Sequence, residues 1–551
     1  MKLNLIGHNY KYAVEQIMLA LFPSERPVYD EVEESGYKPD ALITPLTPAA
    51  STVPAAAPAS ASAAPAAAPA VSAAPDMPAE STAPAVSDAM NGSYYAESRL
   101  SMSKVYAQAS TTIRNNGKLT RGIARVQVSK LTDKLLKDRY LQRIIKQSFY
   151  KAALPYLDKA PVWGSLTGIR PASLVYPLLQ SGKTEQQAAQ ILSDEYYVAP
   201  LRAKLCTSAA LSAEHLKGSL DTTSIALYVG IPFCPSRCTY CSFVSNSVEK
   251  SFEMTQPFVE ALLQEIDTVS KIVNEQKLKL ISIYIGGGTP TSISANSLAS
   301  ILEALQNSFN FSHLREFTVE AGRPETIDQE KLDMILASGA KRICINPQTM
   351  SSAVLSAIGR RHSPEDVFKA VELVKKSALQ INMDLIAGLP EDTTAGFINS
   401  LNTLVDMAPE NITIHTLSLK KGSRIMLEGT TIPNGEIVGE MLDYATFRLY
   451  ESGYSPYYLY RQKYTSGGFE NIGWSLPGHE SIYNISMMED LCTVIGLGGG
   501  AVTKLVSPQG KIHRIYNPKY PKEYINSYDS KIPMKTEKIV EFFEQLIMND
   551  E

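Results

Sequence analysis

No run of about 18 apolar residues occurs in the chain, which excludes a membrane-spanning helix on the length that a bilayer demands. The amino terminus lacks the basic-then-apolar order of a secretory signal, so the expected compartment is the cytoplasm. Positive charge is not in excess. Against 56 Asp and Glu stand 52 Lys and Arg, and the formal net charge of -4 excludes a globally basic nucleic-acid binder and gives no reason to invoke a membrane surface. Cysteine is scarce as well: Cys206, Cys234, Cys238, Cys241, Cys344 and Cys492 are the whole set. Three of them fall in one short loop, which is the pattern of a ligand cluster rather than of a disulfide framework.

What is present divides the chain into modules. KLNLIG reads as a strand and YKYAVEQIMLALF as a helix with an apolar stripe at Val14, Ile17, Met18 and Leu21. Residues 41–92 are dominated by Ala, Pro, Ser and Val and have too few large apolar side chains to bury a core, so a disordered tether or insert is expected. Beyond it, YYAESRLSM and KVYAQASTTI alternate as strands, Asn115-Asn116-Gly117 is a turn, and LTDKLLKDRYLQRIIKQSFYKAAL is a long helix. Residues 1–40 and 93–160 therefore read as two parts of one α+β domain, followed by a helical connector over 161–223. Between Tyr94 and Lys159 basic residues such as Arg114, Arg121, Arg125 and Lys137 outnumber acids. A solvated face accounts for them, and no recognised RNA-binding motif accompanies the charge, so no nucleic-acid partner is expected.

From residue 224 to 425 strand and helix alternate. The strands are IALYVGIPF, LISIYIGG, EFTVEA, RICINPQ, INMDLIAGL and ITIHTLSL, separated by helices such as FVEALLQEIDTVSKIV and EDVFKAVELVKKSA. About six such units predict an α/β fold, a parallel sheet closed fully or partly into a barrel whose chemistry sits at the carboxyl ends of the strands. A doubly wound open sheet is the alternative, but no GxGxxG phosphate turn follows the first strand. Residues 426–551 form a further α+β cap in this reading.

The first strand runs into YVGIPFCPSRCTYCSF, with Cys234, Cys238 and Cys241 spaced C-x3-C-x2-C. A 4Fe-4S cluster ordinarily takes four thiolates, so three would leave one iron open to a ligand. A zinc loop or plain reduced cysteines are the other readings, though zinc favours paired C-x2-C hooks and no second hook exists. Cys206, Cys344 and Cys492 read as buried apolar side chains. Gly286-Gly287-Gly288-Thr289-Pro290 ends the second strand, where backbone without Cβ atoms can approach a ligand, although a tight turn alone would use the same residues. Glu320, Gln348, Arg360 and Asp384 all fall near strand ends, as the walls of a polar pocket would.

The cysteine loop resembles that of the radical S-adenosylmethionine superfamily. The resemblance implies a 4Fe-4S cluster on Cys234, Cys238 and Cys241, an exchangeable S-adenosyl-L-methionine whose methionine amine and carboxylate chelate the open iron, and reductive cleavage to a 5′-deoxyadenosyl radical. It also implies an aromatic, Tyr240, beside adenine, and Gly287, Gly288 and Thr289 about the methionine amine. IYIGGGTPT, VEAGRPE, LIAGLPEDT and IGLGGGAVTKL resemble the oxygen-independent coproporphyrinogen III oxidase family over roughly Ser224 to Val506. That likeness implies catalytic roles for Tyr228 and the three cysteines. It implies cofactor contacts at Tyr228, Tyr240, Gly287, Gly288, Thr289, Glu320, Gln348, Arg360 and Asp384, with Thr416 and Val502 further out. A second S-adenosyl-L-methionine is left open.

Within the family, GSLTGIRPASLVYPLLQSGKTEQQAAQILSDEYYV resembles the coproporphyrinogen dehydrogenase branch called HemZ. The implied reaction, in haem and porphyrin biosynthesis, removes hydrogen from the β-carbon of two propionates of coproporphyrinogen III. Loss of carbon dioxide and an electron then leaves the vinyl groups of protoporphyrinogen IX. A low-potential donor, flavodoxin or ferredoxin, is the implied partner. Phe243 stands where oxidases of the family often carry a further cysteine, and the related haem-chaperone branch also has phenylalanine there, so a haem-binding chaperone without decarboxylase activity is the alternative. Arg170, Arg461, Lys463 and Arg514 are candidate cations for propionates, with none singled out.

Overall fold

The computed structural model describes residues 1–29, 94–242, 246–248, 251–420 and 422–550. The Ala/Pro-rich insert and Phe243 lie outside the described residues. The chain forms two compact units, Met1–Asp158 and Lys159–Glu551.

In the first unit β1 (Lys2–Ile6), β2 (Val28–Tyr29), β3 (Tyr95–Met102), β4 (Tyr106–Asn115) and β5 (Lys118–Gln127) form one sheet in the order β2-β1-β3-β4-β5. Alternation assigns the faces: along β5 the small or apolar Gly122, Ala124 and Val126 are buried between exposed Arg121, Ile123 and Arg125. Gly122 is required by packing, since a Cβ there would lie 2.0 Å from the Ser148 carbonyl oxygen on the helix Lys134–Ala153. The β4–β5 hairpin turns at Asn116 and Gly117, both with positive φ (47° and 76°), as a two-residue turn of this twist needs. The stripe Val14, Ile17, Met18 and Leu21 is buried on the helix Lys11–Leu21.

The second unit is built on β6 (Ser224–Ile231), β7 (Phe233–Cys234), β8 (Asn246–Ser247), β9 (Lys279–Gly287), β10 (Glu316–Glu320), β11 (Arg342–Cys344), β12 (Gln380–Ala387), β13 (Asn411–Thr416), β14 (Ser455–Arg461), β15 (Glu470–Ser475), β16 (Thr493–Gly498), β17 (Val502–Val506) and β18 (Ile512–Tyr516). Except for the short β7–β8 pair, they make an 11-stranded sheet in the order β14-β15-β13-β12-β11-β10-β9-β6-β16-β17-β18. From β13 across to β16 every neighbour is parallel, and antiparallel strands extend both edges. Among the described residues the two edge strands do not pair, so the barrel is partial. One parallel strand, β16, comes from the segment read as the carboxyl-terminal cap; its glycine-rich TVIGLG pattern carries little strand signal, yet it pairs with β6 from Thr493↔Ile225 to Gly498↔Gly230.

Alternation along these strands separates two faces. Leu227, Val229 and Ile231 of β6, Ile283 and Ile285 of β9, and Phe317 and Val319 of β10 pack into one core with Val259, Leu262 and Ile266 of the helix Phe252–Glu275 and with Leu298, Ile301 and Leu305 of the helix Ala295–Ser308. Burying each such side chain contributes about 1.5–3 kcal/mol before ordering costs. The intervening residues, Tyr228, Tyr284, Glu320 and Asp384 among them, share the opposite face, which is polar and aromatic.

Three buried polar nodes lock this frame. Glu470 of β15 accepts from Trp163 Nε1 at 2.7 Å and Arg202 Nε at 3.0 Å, tying the connector helices to the sheet. Glu316 of β10 accepts from Ser481 Oγ at 2.7 Å, the Tyr483 amide at 3.1 Å and Arg342 Nη1 at 3.3 Å, which fixes the helix Ile482–Glu489 across the polar face. Glu265 accepts from the Gly498 amide at 2.7 Å, Lys535 Nζ at 2.7 Å, Asn517 Nδ2 at 2.9 Å and Tyr524 Oη at 2.5 Å, and so holds the end of β16.

Candidate cofactor site

The cysteine loop leaves the sheet at Ile231 and is held by main-chain bonds before any side chain acts. Phe233 and Cys234 of β7 pair with Asn246 and Ser247 of β8, the Thr239 amide donates to the Ile358 carbonyl at 3.0 Å, and the Cys241 amide donates to the Cys238 carbonyl at 3.2 Å. Ser236 Oγ donates to the Gly359 carbonyl at 3.2 Å. Cys234 and Cys238 are buried and Cys241 is partly exposed. Among the described residues no three His, Cys, Asp or Glu side chains gather as ligands of one metal ion.

Electrostatics single out Cys238. Arg323 Nη2 donates to Cys238 Sγ at 3.0 Å and to the Ser236 carbonyl at 2.8 Å, and Arg360 donates to the Gly322 carbonyl at 3.0 Å, the Asn346 carbonyl at 2.6 Å and Tyr240 Oη at 3.3 Å. Burial alone would push the Cys238 thiol up, but the Arg360 and Arg323 charges, together with hydrogen bonding from Tyr240 and Arg360, bring it below its ordinary value. A thiolate is the ligating form, so these guanidiniums prepare that residue to bind metal. Cys234 Sγ lies 3.5 Å from Thr289 Oγ1.

The glycines at the end of β9 are used by the fold itself. The Gly288 amide donates to the Ile231 carbonyl at 2.8 Å and the Thr289 amide to the Phe233 carbonyl at 2.6 Å, and a Cβ on Gly288 would stand 2.3 Å from that Phe233 oxygen. Gly287, at φ 111°, closes on Ile231 in the same way. These residues thus bring the cysteine loop against the second strand. Gly286 has a different neighbour: its Cβ would meet Glu320 Oε2 at 3.0 Å.

Glu320 accepts from Tyr284 Oη at 2.6 Å. Burial, reinforced by the like charge of Asp384, pushes its carboxyl up to about 7 despite the bonds from Tyr284 and Gly287. Tyr284 stacks on Tyr483 at 4.5 Å between centroids and on Tyr228 at 6.4 Å. Asp384 accepts from Asn382 Nδ2 at 2.9 Å and its Oδ2 lies 3.7 Å from His415 Nε2. Gln348, at φ 69°, is buried, donates its amide to the Asp384 carbonyl at 2.9 Å and accepts from the Ile386 amide at 3.0 Å. Positive φ in a buried non-glycine residue is strain held by its surroundings, and such strain concentrates at functional sites. Gln348 Oε1 and Asn346 Oδ1 are buried without a hydrogen-bond partner, so both are acceptors that a bound polar group would satisfy.

The structure therefore brings together Cys234 with Thr289, Cys238 with Tyr240 and Arg360, Glu320 with the Gly286–Gly287 turn, and Gln348 with Asp384. Thr416 is spent on β15, where its Oγ1 donates to the Glu470 carbonyl at 2.7 Å and its amide to Asn471 Oδ1 at 3.0 Å. Val502 begins β17, its backbone 2.8 Å from where a Cβ on Gly496 would stand. Arg323, Tyr284, Tyr483 and Asn346 were not singled out by the sequence reading. Arg323 stood in the quoted VEAGRPE string, and Tyr284 is two residues before Gly286 on the same face of one strand; Tyr483 carried no local signal. Two of the propionate candidates are committed elsewhere: Arg170 is paired with Asp490, and Arg461 donates to the Leu166 and Gly468 carbonyls while stacking on Trp163.

A carboxyl raised from 4.5 to about 7 contributes most to stability below its unfolded value and loses that contribution as pH climbs to its folded value. Glu320→Gln should therefore flatten the fall in ligand-free thermal stability between about pH 4.5 and 7, measured as Tm against pH. An unchanged slope would remove Glu320 as its source.

Residues 228–404 match the radical SAM superfamily. The Bacillus subtilis (strain 168) oxygen-independent coproporphyrinogen-III oxidase-like protein HemZ is 39% identical over 393 residues, covering 70% of this chain and 77% of that protein. The heme chaperone HemW of Haemophilus influenzae is 28% identical, covering 58% of this chain and 81% of that protein. The solved Escherichia coli coproporphyrinogen III oxidase (HemN), a radical SAM enzyme, aligns with a TM-score of 0.46 and 19% identity over 59% of this chain and 73% of that one. With a relative at 39% identity spanned over 77% of its length, the chain belongs to the oxygen-independent coproporphyrinogen-III oxidase-like family of the radical SAM superfamily.

Proposed function

We propose that the chain is an oxygen-independent coproporphyrinogen III oxidase, converting two propionates to vinyl groups. The observation that carries the proposal is the juxtaposition at one end of the parallel sheet: the cysteine loop with Arg323 donating to Cys238 Sγ at 3.0 Å and Arg360 to Tyr240 at 3.3 Å, and beside it the buried polar groups Gln348 and Asn346 with unpaired acceptors. Cys234, Cys238 and Cys241 would hold a 4Fe-4S cluster with one open iron, and S-adenosyl-L-methionine would lie along Glu320, Gln348 and Asp384. When bound, these groups supply a carbon radical able to remove a hydrogen atom from a substrate carbon.

The residues of the chain then bind and orient. Above pH 7 Glu320 is anionic and attracts a cationic amine, and Tyr284 fixes the direction of its carboxylate. Gln348 Oε1 and Asn346 Oδ1 offer acceptors already stripped of water, so they favour a ligand whose donors fit them. Arg360 stays charged and holds the Tyr240 hydroxyl within the loop. For each propionate the substrate would give one hydrogen atom to that carbon radical and one electron to an external one-electron acceptor, and would release carbon dioxide.

The relatives named heme chaperone HemW suggest a haem-binding protein as the second reading. On the polar face His415 Nε2 lies 3.7 Å from Asp384 Oδ2. The test is anaerobic incubation of cluster-reconstituted protein with S-adenosyl-L-methionine, reductant and coproporphyrinogen III. 5′-Deoxyadenosine and protoporphyrinogen together support the proposal; cofactor cleavage without decarboxylation, joined to stoichiometric haem uptake, overturns it in favour of the chaperone.

A further inference from the structure

The cysteine loop is roofed on one side by a short helix, Arg424–Glu428. Its Ile425 amide donates to the Thr239 carbonyl at 3.1 Å, and the Ile425 side chain is buried in a cluster with Ile358, Leu417 and partly buried Tyr240. The next two residues point the other way: Met426 is 51% and Leu427 74% exposed. Tyr464, 69% exposed, stands on the segment paired with the residues leading into this helix, its carbonyl accepting from the Leu419 amide at 3.0 Å and Ser418 bridging to Thr465. Exposed large apolar side chains on a backbone this firmly tied are not loose loop residues; they are an adhesive patch.

The charge around the patch reverses the sign of the whole chain. Arg237, inside the cysteine loop, donates to the Gly422 carbonyl at 3.2 Å, Lys420 precedes the helix and accepts the Ser423 amide on its carbonyl at 3.1 Å, and Arg424 opens it. The acid on this helix, Glu428, is paired with Arg424 at 2.9 Å, so the rim's net positive charge comes from Arg237 and Lys420 beside that pair. A net-acidic protein thus carries a basic, apolar-centred rim where the partly exposed Cys241 brings the loop to the surface.

We propose that this rim is the docking surface for an acidic one-electron carrier protein that reduces the cluster, an inference that rests on the radical reading above. One electron passes from the reduced carrier to the cluster; the carrier is oxidised by one electron, the cluster is reduced by one, and no bond forms or breaks. An apolar centre flanked by cations suits a transient complex in which complementary charge sets the encounter rate and the small apolar contact sets the orientation.

The experiment uses the full-length, cluster-loaded chain with flavodoxin hydroquinone as the probe, reading its Kd and the rate of cluster reduction by stopped flow at low and high salt. Met426→Asp with Leu427→Asp should weaken flavodoxin binding by roughly tenfold and slow reduction in proportion. Lys420→Glu with Arg424→Glu should reverse or flatten the salt dependence of the rate. In both variants S-adenosyl-L-methionine affinity and reduction by dithionite should equal those of the wild type. Unchanged flavodoxin Kd and rate in both variants overturn the docking surface, as does a change in oligomeric state as their sole effect. A wild-type chain without any dithionite-reducible cluster would instead sink the radical reading and this inference with it.

Discussion

Replacing Cys238 by alanine is expected to reduce cluster content and S-adenosyl-L-methionine cleavage to undetectable levels, as measured by iron and sulfide analysis and by 5′-deoxyadenosine release. Two thiolates would remain for a cluster that needs three. The lesion also removes the sulfur to which Arg323 Nη2 donates at 3.0 Å. Arg323→Met offers the contrast. It keeps all three thiols but removes the donor to Cys238, and it should lower cluster affinity by roughly 10–100-fold, the scale of lost partners behind metal ligands. A Cys238→Ala protein with full cluster occupancy would contradict the assignment.

The second large effect is structural and lies away from the cysteines. Glu265 and Lys535 are buried to within 1% and joined at 2.7 Å. Lys535→Met leaves the Glu265 carboxylate with the Gly498 amide, Asn517 and Tyr524 but no cation, and also removes the donor to the Gly496 carbonyl. The expected cost is about 3–5 kcal/mol in denaturant unfolding of the second unit, if the loss is that of an uncompensated buried charge. Because the Gly499 amide donates to the Gly230 carbonyl at 3.0 Å, loosening β16 also loosens the end of β6 just before the cysteine loop. Replacing both partners, Glu265→Leu with Lys535→Met, should recover part of the loss; a single variant as stable as the wild type would show that the pair is dispensable.

The elements that sequence reasoning located are those whose signals are local. Strands β6, β9, β10, β12 and β13 announce themselves as alternating apolar runs, and the three cysteines, the glycine turn and the Asn116–Gly117 hairpin are each contained in a few consecutive residues. What sequence reasoning missed depends on register between distant segments. Arg323 reaches Cys238 across 85 positions, and Tyr483 meets Tyr284 only because Glu316 anchors the helix that carries it. β16 was absorbed into the cap because the GLGGG run holds four glycines, Gly496 and Gly498 in the strand and Gly499 and Gly500 after it, which weaken strand propensity while allowing the close approach to β6 that the sheet requires. The same logic explains the two arginines read as propionate cations: nothing local in Arg170 or Arg461 marks a partner such as Asp490 or Trp163 that lies elsewhere in the chain. Glu320, Gln348, Arg360 and Asp384 were found as strand-end polar residues, but the raised carboxyl, the positive φ and the orphaned acceptor are properties of their packing.

The most direct test of the central claim is electron paramagnetic resonance on anaerobically reconstituted, dithionite-reduced protein with and without S-adenosyl-L-methionine. A 4Fe-4S signal that changes shape when S-adenosyl-L-methionine is added, as an iron vertex open to a ligand requires, is the predicted result. A chain that binds no cubane cluster, or one whose signal is indifferent to S-adenosyl-L-methionine because every iron is already held by protein, would contradict it.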